Sequence, residues 1–599
     1  MGRPREIGSL AAALVLCAGL AGNGAGAQAL ADAARDRTEP VVLTGSQVPL
    51  DLAEGLRVAG VSVRLEGSTG DAGMDTELRR QVEAQGGALR DVPLQRFVAE
   101  GLLQRVRGVP GVAQADLAVF QAVPSGRVVL VITVTAAPAP AAGKLPEKVR
   151  GLFATGSLDA LPVLYQDDRS LLKAILNGGA GVYATSNPFF GFADLFTMGN
   201  KAARHPAGPG STAWAEAYIE PGLGGIFRLG DTPLYPYGSV TYLESASWGQ
   251  DIYDSGSRRH GAFEQAYGGV VVDLPGKGNA INVSAGRQIY QLRQGFLISK
   301  IPGSTNLGSL GALWLGPRLA WDNTVVATLR YGAFTAEGIL LEPTEFPGME
   351  TGTRLTGGTV GYNDGEIVDA ALTFLAVPRS QKPYLAPDGS VTATREGLRT
   401  ISPSVWLTDV FGVEGLWFKG EFAYQTHEQL DMRAYAYALW PGYRADHLPW
   451  KPGISYRFAS FSGDDPATAT YERYDPLFSG GQNNYVSGML LSSVLLNANL
   501  RSQRLSLTAN PSDQFGLTLE YSIHRANVTN NAGAIGPLQQ LTSKDLAREV
   551  DFFCNVYVGK SLYVQGVLAA AIPGAAIKEA VDGSAKNWYA AQLSLYYFF

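Results

Sequence analysis

The last stretch of the chain, Lys586 to Phe599, reads KNWYAAQLSLYYFF. Counting back from the terminus, Phe599, Tyr597, Leu595, Leu593, Ala591 and Tyr589 share one face, and Phe598, Tyr596, Ser594, Gln592 and Ala590 share the other. Strict alternation of this kind is the period of a β-strand with one apolar side. Free termini of soluble proteins are usually polar and poorly ordered, so an aromatic ending needs an apolar surround. The closing strand of a transmembrane barrel supplies one, with lipid on one side, the lumen on the other and aromatics at the interfaces. The alternative is the buried last strand of a soluble β-protein.

The same alternation recurs upstream. Leu505, Leu507 and Ala509 alternate with Arg504, Ser506, Thr508 and Asn510, and after Asn-Pro-Ser-Asp the residues Phe515, Leu517, Leu519, Tyr521 and Ile523 form a second apolar face. Phe552, Cys554, Val556 and Val558 precede a turn at Gly559-Lys560-Ser561, followed by Leu562, Val564, Gly566, Leu568 and Ala570. From about Ser211 such runs continue to the end, with short turns alternating with long polar loops. At roughly 22–26 residues per strand and connection, residues 211–599 hold about 16–18 strands. A barrel of that size normally encloses an aqueous channel. The fold class expected is mainly β: a large antiparallel transmembrane barrel preceded by a small α+β domain.

Composition agrees. The chain has 599 residues, a net charge of −6, 46% hydrophobic residues and a mean hydropathy of +0.01. Barrels hide in such neutral averages because their strands alternate. After the N-terminal leader no run approaches the roughly 18 apolar residues of a helical span. Mild acidity argues against nucleic acid as a partner.

Residues 1–27 read as a secretory signal: Arg3 and Arg5, an apolar run from Leu10 to Leu20, then Ala25-Gly26-Ala27. Cleavage leaves Cys554 alone, which excludes an intramolecular disulfide and a cysteine-based zinc site. Residues 28–55 read as extended. Residues 56–135 are compact: a strand (VAGVSVRLE, from Val58), two helical patterns (Met74 to Ala84, Pro93 to Val106) and two strands (Val112 to Ala122, Arg127 to Thr135). Residues 136–150 form a Pro/Ala linker. Residues 151–210 stay undecided between a plug, the first barrel strand and a periplasmic clasp, with Ser170 to Leu176 read as a short helix and Asn187 to Phe190 as a loop.

The β-α-α-β-β order, with LLQRVRGVPGV ending its second helix and RVVLVITVT its last strand, resembles a POTRA module, the periplasmic domain that precedes many outer-membrane barrels. A small α+β domain of another kind is the alternative. Either one offers a strand edge to a periplasmic protein partner. The terminal aromatics, Tyr597 and Phe599, resemble the sorting signal read by the outer-membrane barrel assembly machinery.

Phasing each strand by its apolar face sends Arg318, Arg330, Arg354, Lys419, Arg457, Glu421 and Glu520 to the lumen. An Arg or Lys facing lipid at the midplane costs about 2–4 kcal/mol, so parity is physically enforced. Lumen guanidinium groups suit an anionic chain, since they pair planar carboxylates in bidentate fashion. Alternatively they pair with wall carboxylates around an unselective pore.

Three stretches carry a further resemblance: SAGRQIYQLRQGFLISK from Ser284 with Gly286-Arg287-Gln288, SGDDPATATYERYDPLFSG from Ser462 with Gly463, Asp464, Asp475, Pro476 and Phe478, and DLAREVDFFCNVYVGKSLYVQGVLAAAIPG from Asp545 with Asp551. They are similar to the alginate-export family of outer-membrane barrels. The resemblance implies a wide channel, typically of 18 strands, set in outer-membrane lipid, whose basic lumen conducts an acidic polysaccharide outward. The POTRA-like domain departs from the usual pattern of that family. Arg287 falls on the lipid-facing parity of Ile281, Val283 and Ala285, so it lies beyond the membrane band or beside a bulge. Asp464, Asp465 and Asp475 sit in a Gly/Pro-rich loop, where solvation competes with a Ca²⁺ site.

Two other channel readings stay open. One is a polypeptide translocator of the two-partner-secretion type, although its Arg-Gly-Tyr/Phe lumen motif is missing from the barrel and Arg107-Gly108-Val109 lies in the N-terminal domain. The other is a general diffusion porin. Five histidines, His205, His260, His427, His447 and His524, sit in no hydrolase motif, so no enzyme activity and no cofactor are expected.

Overall fold

A computed structural model describes residues 43–48, 50–66, 72–86, 89, 92–109, 112–122, 127–136, 163–166, 170–275, 279–300, 310–480, 488–512, 514–558 and 562–597. The signal segment, the Pro/Ala linker, the Gly559-Lys560-Ser561 turn and Phe599 lie outside them.

Eighteen antiparallel strands of 9 to 17 residues close into one barrel. The ring shuts where the last strand, Trp588–Tyr597, pairs with the first, Ser170–Ser186, from Tyr589↔Ser186 to Tyr597↔Gly178. The first strand corrects the boundary expected at 211 and the helix read over Ser170 to Leu176. Its physical reason is visible in the packing: Leu171 and Ile175 face inward and are buried, while Leu172 and Leu176 face outward. With apolar residues on both faces, the segment has lost its strand alternation. Asn187 to Phe190, read as a loop, turns through a short 3-10 segment, Pro188–Gly191, with Phe189 and Phe190 buried.

The barrel is inside-out. Phe263, Val360 and Phe374 are 58%, 59% and 52% exposed on the outer face, while the opposite parity of the same strands is polar and buried, as at Glu264, Thr359 and Thr373. In water such a belt would cost about 25 cal/mol per Å², and against lipid chains it costs nothing. Among the described residues no helix is long and apolar enough to cross a membrane. Strands of this length do so when tilted.

Turns alternate in length. At one end lie 228–233, 332–333 and 364–367, together with the outer ends of the first and last strands; at the other lie 187–210, 290–319, 462–499 and 527–544. The N-terminal domain occupies the short-turn end. It is a four-stranded sheet of β1 (Leu43–Val48), β2 (Arg57–Glu66), β3 (Val112–Ala122) and β4 (Arg127–Ala136), in the order β1-β3-β4-β2, with helices Ala72–Gly86 and Arg96–Arg107. Parallel pairing of β2 with β4 requires the intervening helices as a crossover.

This domain does not stand apart from the barrel as a spacer. Its core, with Leu102, Val106 and Leu130, is continuous with the inward-facing Leu171, Ile226, Tyr237, Tyr267 and Val271 of the wall. It is therefore seated in the barrel mouth, and burial of those wall residues is what holds it there.

Candidate functional site

Segments enter the lumen from both ends, and several of the contacts that hold them there are charged. From the N-terminal domain, Arg57 at the start of β2 places Nη2 2.6 Å from Glu337 Oε1 on the wall, and Tyr290 donates to the same oxygen at 2.7 Å. Arg127, at the start of β4, donates to Asp369 of the wall. Gln95, just before the second helix, joins a buried network with Tyr237, Asn282, Ser284 and Gln288. Glu100 on that helix meets Arg96 at 3.1 Å and Lys173 of the first barrel strand at 2.6 Å. Burial pushes the Glu100 carboxyl up, but Lys173 and Arg96 outweigh it and hold the group below its ordinary range.

From the long-loop end, two connections fold inward. Residues 290–300 and 475–480 zip together along the backbone: Ser299 N donates to Phe478 O at 2.8 Å, Phe478 N to Leu297 O at 3.1 Å and Gly480 N to Gly295 O at 2.9 Å. Leu297 and Ile298 are buried in that contact. The next part of the second connection, Met489 to Leu491, presents its backbone N–H groups to the wall: Leu490 N and Leu491 N donate to Glu549 at 2.6 and 3.0 Å, and Met489 N to Asp551 at 3.4 Å. The three family-like stretches are thus parts of one assembly, two infolded loops and the wall that receives them.

Individual motif residues have distinct places. Gly286 takes φ +122°, a conformation open to glycine, beside a register shift between Gly286 and Gln288. Arg287 keeps outward parity near the long-loop end, where Asp322 at 2.7 Å, Thr344 at 3.0 Å and the Phe263 carbonyl at 2.9 Å receive it. Gln288 points inward to Ser284 and Thr324. Gly463 packs against Asn499 where a Cβ would clash. Asp464 accepts from Glu472 N at 2.9 Å. Asp475, followed by Pro476, accepts a bidentate pair from Arg395 at 2.8 and 2.6 Å and a bond from Tyr384 at 2.8 Å. Burial raises the Asp475 carboxyl, but Arg395 and Lys382 overcome this and hold it well below the carboxylate range. Asp475 therefore serves the loop core, not a cation.

The lumen wall carries a row of directly opposed residues. Asp369 faces Trp406, Trp406 faces Lys419, and Lys419 faces Trp440 across successive strands. Arg457 lies over the Trp440 ring at 5.3 Å, faces Arg504, and Arg504 faces Ser522, which faces Glu549. Opposed residues run perpendicular to strands, and barrel strands tilt, so the row climbs the wall obliquely. It begins next to the 364–367 turn and ends toward the long-loop end. Lys419 Nζ lies 4.9 and 4.5 Å from the Trp406 and Trp440 ring centres and also donates to Gln294 of the infolded loop. Arg293 of that loop lies 5.0 Å from the Trp406 ring centre and 2.9 Å from Asp369. Cations between indole faces form a surface able to pair carboxylates and to cover sugar rings.

Of the residues assigned to the lumen by parity, Arg330, Lys419, Glu421 and Arg457 face inward and are buried. Glu520 also faces inward, accepting from Arg504 at 2.7 Å and Ser506 at 2.9 Å. Arg318 lies just before its strand and donates to the Gly311 carbonyl at 2.8 Å, pinning a loop. Arg354 is a correction: it shares outward parity with Val360 and Tyr362 and meets Glu342 at the strand end with a half-exposed side chain. Parity protects the midplane only, and a strand end tolerates a charge on either face. Asp369, Trp406, Trp440 and Glu337 were missed, although the same phasing would have placed them. Tyr597 ends the last strand opposite Leu562.

Comparison with curated proteins finds no match. Solved structures similar to the chain include a BenF-like porin from Pseudomonas fluorescens Pf-5 (10% identity, 72% of this chain and 98% of that one, TM-score 0.43). They also include Pseudomonas aeruginosa OccK2 (OpdF), at 10% identity over 72% of this chain and 97% of that one with a TM-score of 0.43. The family model for alginate export matches residues 245–591, more than half of the chain, so the protein belongs to the alginate export family and is an outer-membrane channel, not an enzyme.

Proposed function

We propose that the channel exports an anionic exopolysaccharide and that the closed lumen is its resting state. The observation that carries this reading is the oblique row of Trp406, Lys419, Trp440, Arg457 and Arg504. A polyuronate presents a carboxylate and an apolar ring face on each sugar, and the row sets the cations Lys419, Arg457 and Arg504 beside the indoles Trp406 and Trp440. At rest, Gln294 of the infolded loop accepts from Lys419 and Glu520 of the wall accepts from Arg504; an incoming carboxylate would replace them. Short turns face the periplasm in outer-membrane barrels. On that orientation the N-terminal domain closes the periplasmic mouth, where a polymer-handling protein partner would meet it, and the barrel assembly machinery would read the last strand.

The test is single-channel recording of the full protein in planar bilayers, with polyuronate or a neutral glucan added on the short-turn side. Block by polyuronate alone, weakened in Lys419→Gln and Arg457→Gln, supports acidic-polymer export. Equal passage of small ions with no response to either polymer would instead mark a general diffusion porin.

A further inference from the structure

The mouth of the barrel holds a cavity that the closing contacts leave open. It measures about 600 Å³ and lies between the two helices of the N-terminal domain and the inner wall. Helix Ala72–Gly86 contributes Arg80, helix Arg96–Arg107 contributes Arg105, and the 228–233 turn contributes Arg228. Among the described residues the lining holds these three arginines and no carboxylate. Arg228 donates Nε to the Thr232 carbonyl at 2.9 Å and Nη2 to the Asp231 carbonyl at 3.2 Å, which holds its guanidinium at the cavity. The guanidinium carbon of Arg105 stands 5.3 Å from the Tyr235 ring centre, and its Nη2 donates to the Gln85 carbonyl at 3.4 Å. Its Nε is buried and has no acceptor among the described residues. The wall residues that line the cavity, Ile226 and Asn282 among them, are on the inward parity, so the cavity opens to the aqueous mouth and not to lipid.

We propose that this cavity is a docking site for a short carboxylated saccharide segment, the first the polymer meets. Three guanidinium groups around one space attract anions and pair carboxylates. Tyr235 and Ile226 offer apolar surface to a ring face. The volume falls within the range of small-molecule sites, enough for a few sugars. The site straddles two bodies, the N-terminal domain and the wall, so its shape exists only while the domain is seated. Ligand bound there favours the seated state by mass action. The choice of a uronate over other anions rests on the export reading above; inorganic phosphate shares the charge but lacks the ring face.

Calorimetric titration of the detergent-solubilised full protein with a defined oligouronate tests the site, with a neutral oligoglucan and inorganic phosphate as comparison ligands. Saturable binding of the oligouronate is expected, with no binding of the glucan. The combined variant Arg80→Gln, Arg105→Gln and Arg228→Gln should weaken it about tenfold or more, the scale of lost charge-assisted hydrogen bonds. Arg64→Gln, in β2 outside the cavity, should leave it unchanged and controls for folding. Phosphate binding equal to that of the oligouronate would overturn the saccharide assignment. Wild-type binding that survives the triple variant but falls in Lys419→Gln would overturn the cavity while leaving the export reading intact. Wild-type protein that neither binds the oligouronate nor is blocked by polyuronate would overturn both.

Discussion

Arg57 and Glu337, 280 positions apart in sequence, meet at 2.6 Å with both side chains almost wholly buried. One belongs to the N-terminal domain and the other to the barrel wall, so this pair is a direct bond between gate and frame. Removing one partner of a buried pair costs about 3–5 kcal/mol, because the other charge is stranded. Glu337→Gln should therefore raise the open fraction in planar bilayers sharply. The double variant Arg57→Gln with Glu337→Gln should lie closer to the wild type than Glu337→Gln alone.

Asp369 is shared. Arg127 reaches it from the N-terminal domain and Arg293 from the infolded loop, so one carboxylate ties both closures together. Asp369→Asn should loosen both at once. Its open fraction should exceed that of Arg127→Gln or Arg293→Gln singly, and adding either to Asp369→Asn should change little, since residues of one network are not additive.

Lys419 lies between two indoles, at cation–π distances worth about 0.5–2 kcal/mol each. Trp440→Ala should weaken polyuronate block by roughly three- to thirtyfold on that scale. A block that is unaffected would remove the indoles from the polymer path.

Asp475 makes the loop core acid-sensitive only at low pH. Its carboxyl is held below the ordinary range, so the native loop binds fewer protons than the unfolded chain. The resulting stability is complete above the ordinary Asp value, about 4, and is lost progressively as the pH falls from there through the folded-state value. Asp475→Asn should remove this dependence and destabilise the loop at neutral pH. Fluorescence of Trp321, whose ring stands 5.1 Å from that of Phe478, reports both.

What could be read from sequence follows from what each segment touches. The last strand alternates because Leu595 meets lipid and Ser594 the interior. Lys419 and Arg457 were placed by the same rule. Ser170–Ser186 escaped it because the inner neighbour of Leu171 is a protein domain, so its inner face is apolar too. The partners of the motif stretches were hidden for a different reason. Leu297 pairs with Phe478 backbone to backbone, and Leu490 gives only its backbone N–H to the Glu549 carboxylate, so the loop side carries no residue-specific signal. The N-terminal order β-α-α-β-β was legible, but its seat was not, because Arg57 and Arg127 look like ordinary strand-end charges until Glu337 and Asp369 are brought opposite.

The seat of the N-terminal domain also dictates an order of events in biogenesis. Its own sheet and helices are built from nearby segments, whereas its anchors lie far downstream: Arg127 and Asp369 are 242 positions apart. One end of the seat, Leu171 and Lys173, comes from the first strand, and the other end, Glu337 and Asp369, from the middle of the ring. Contacts so distant in sequence form late. A nascent barrel therefore passes through a stage in which the domain is folded, tethered to the opening strand and not yet docked, and it is seated only after the strands bearing both ends of the seat have been laid down.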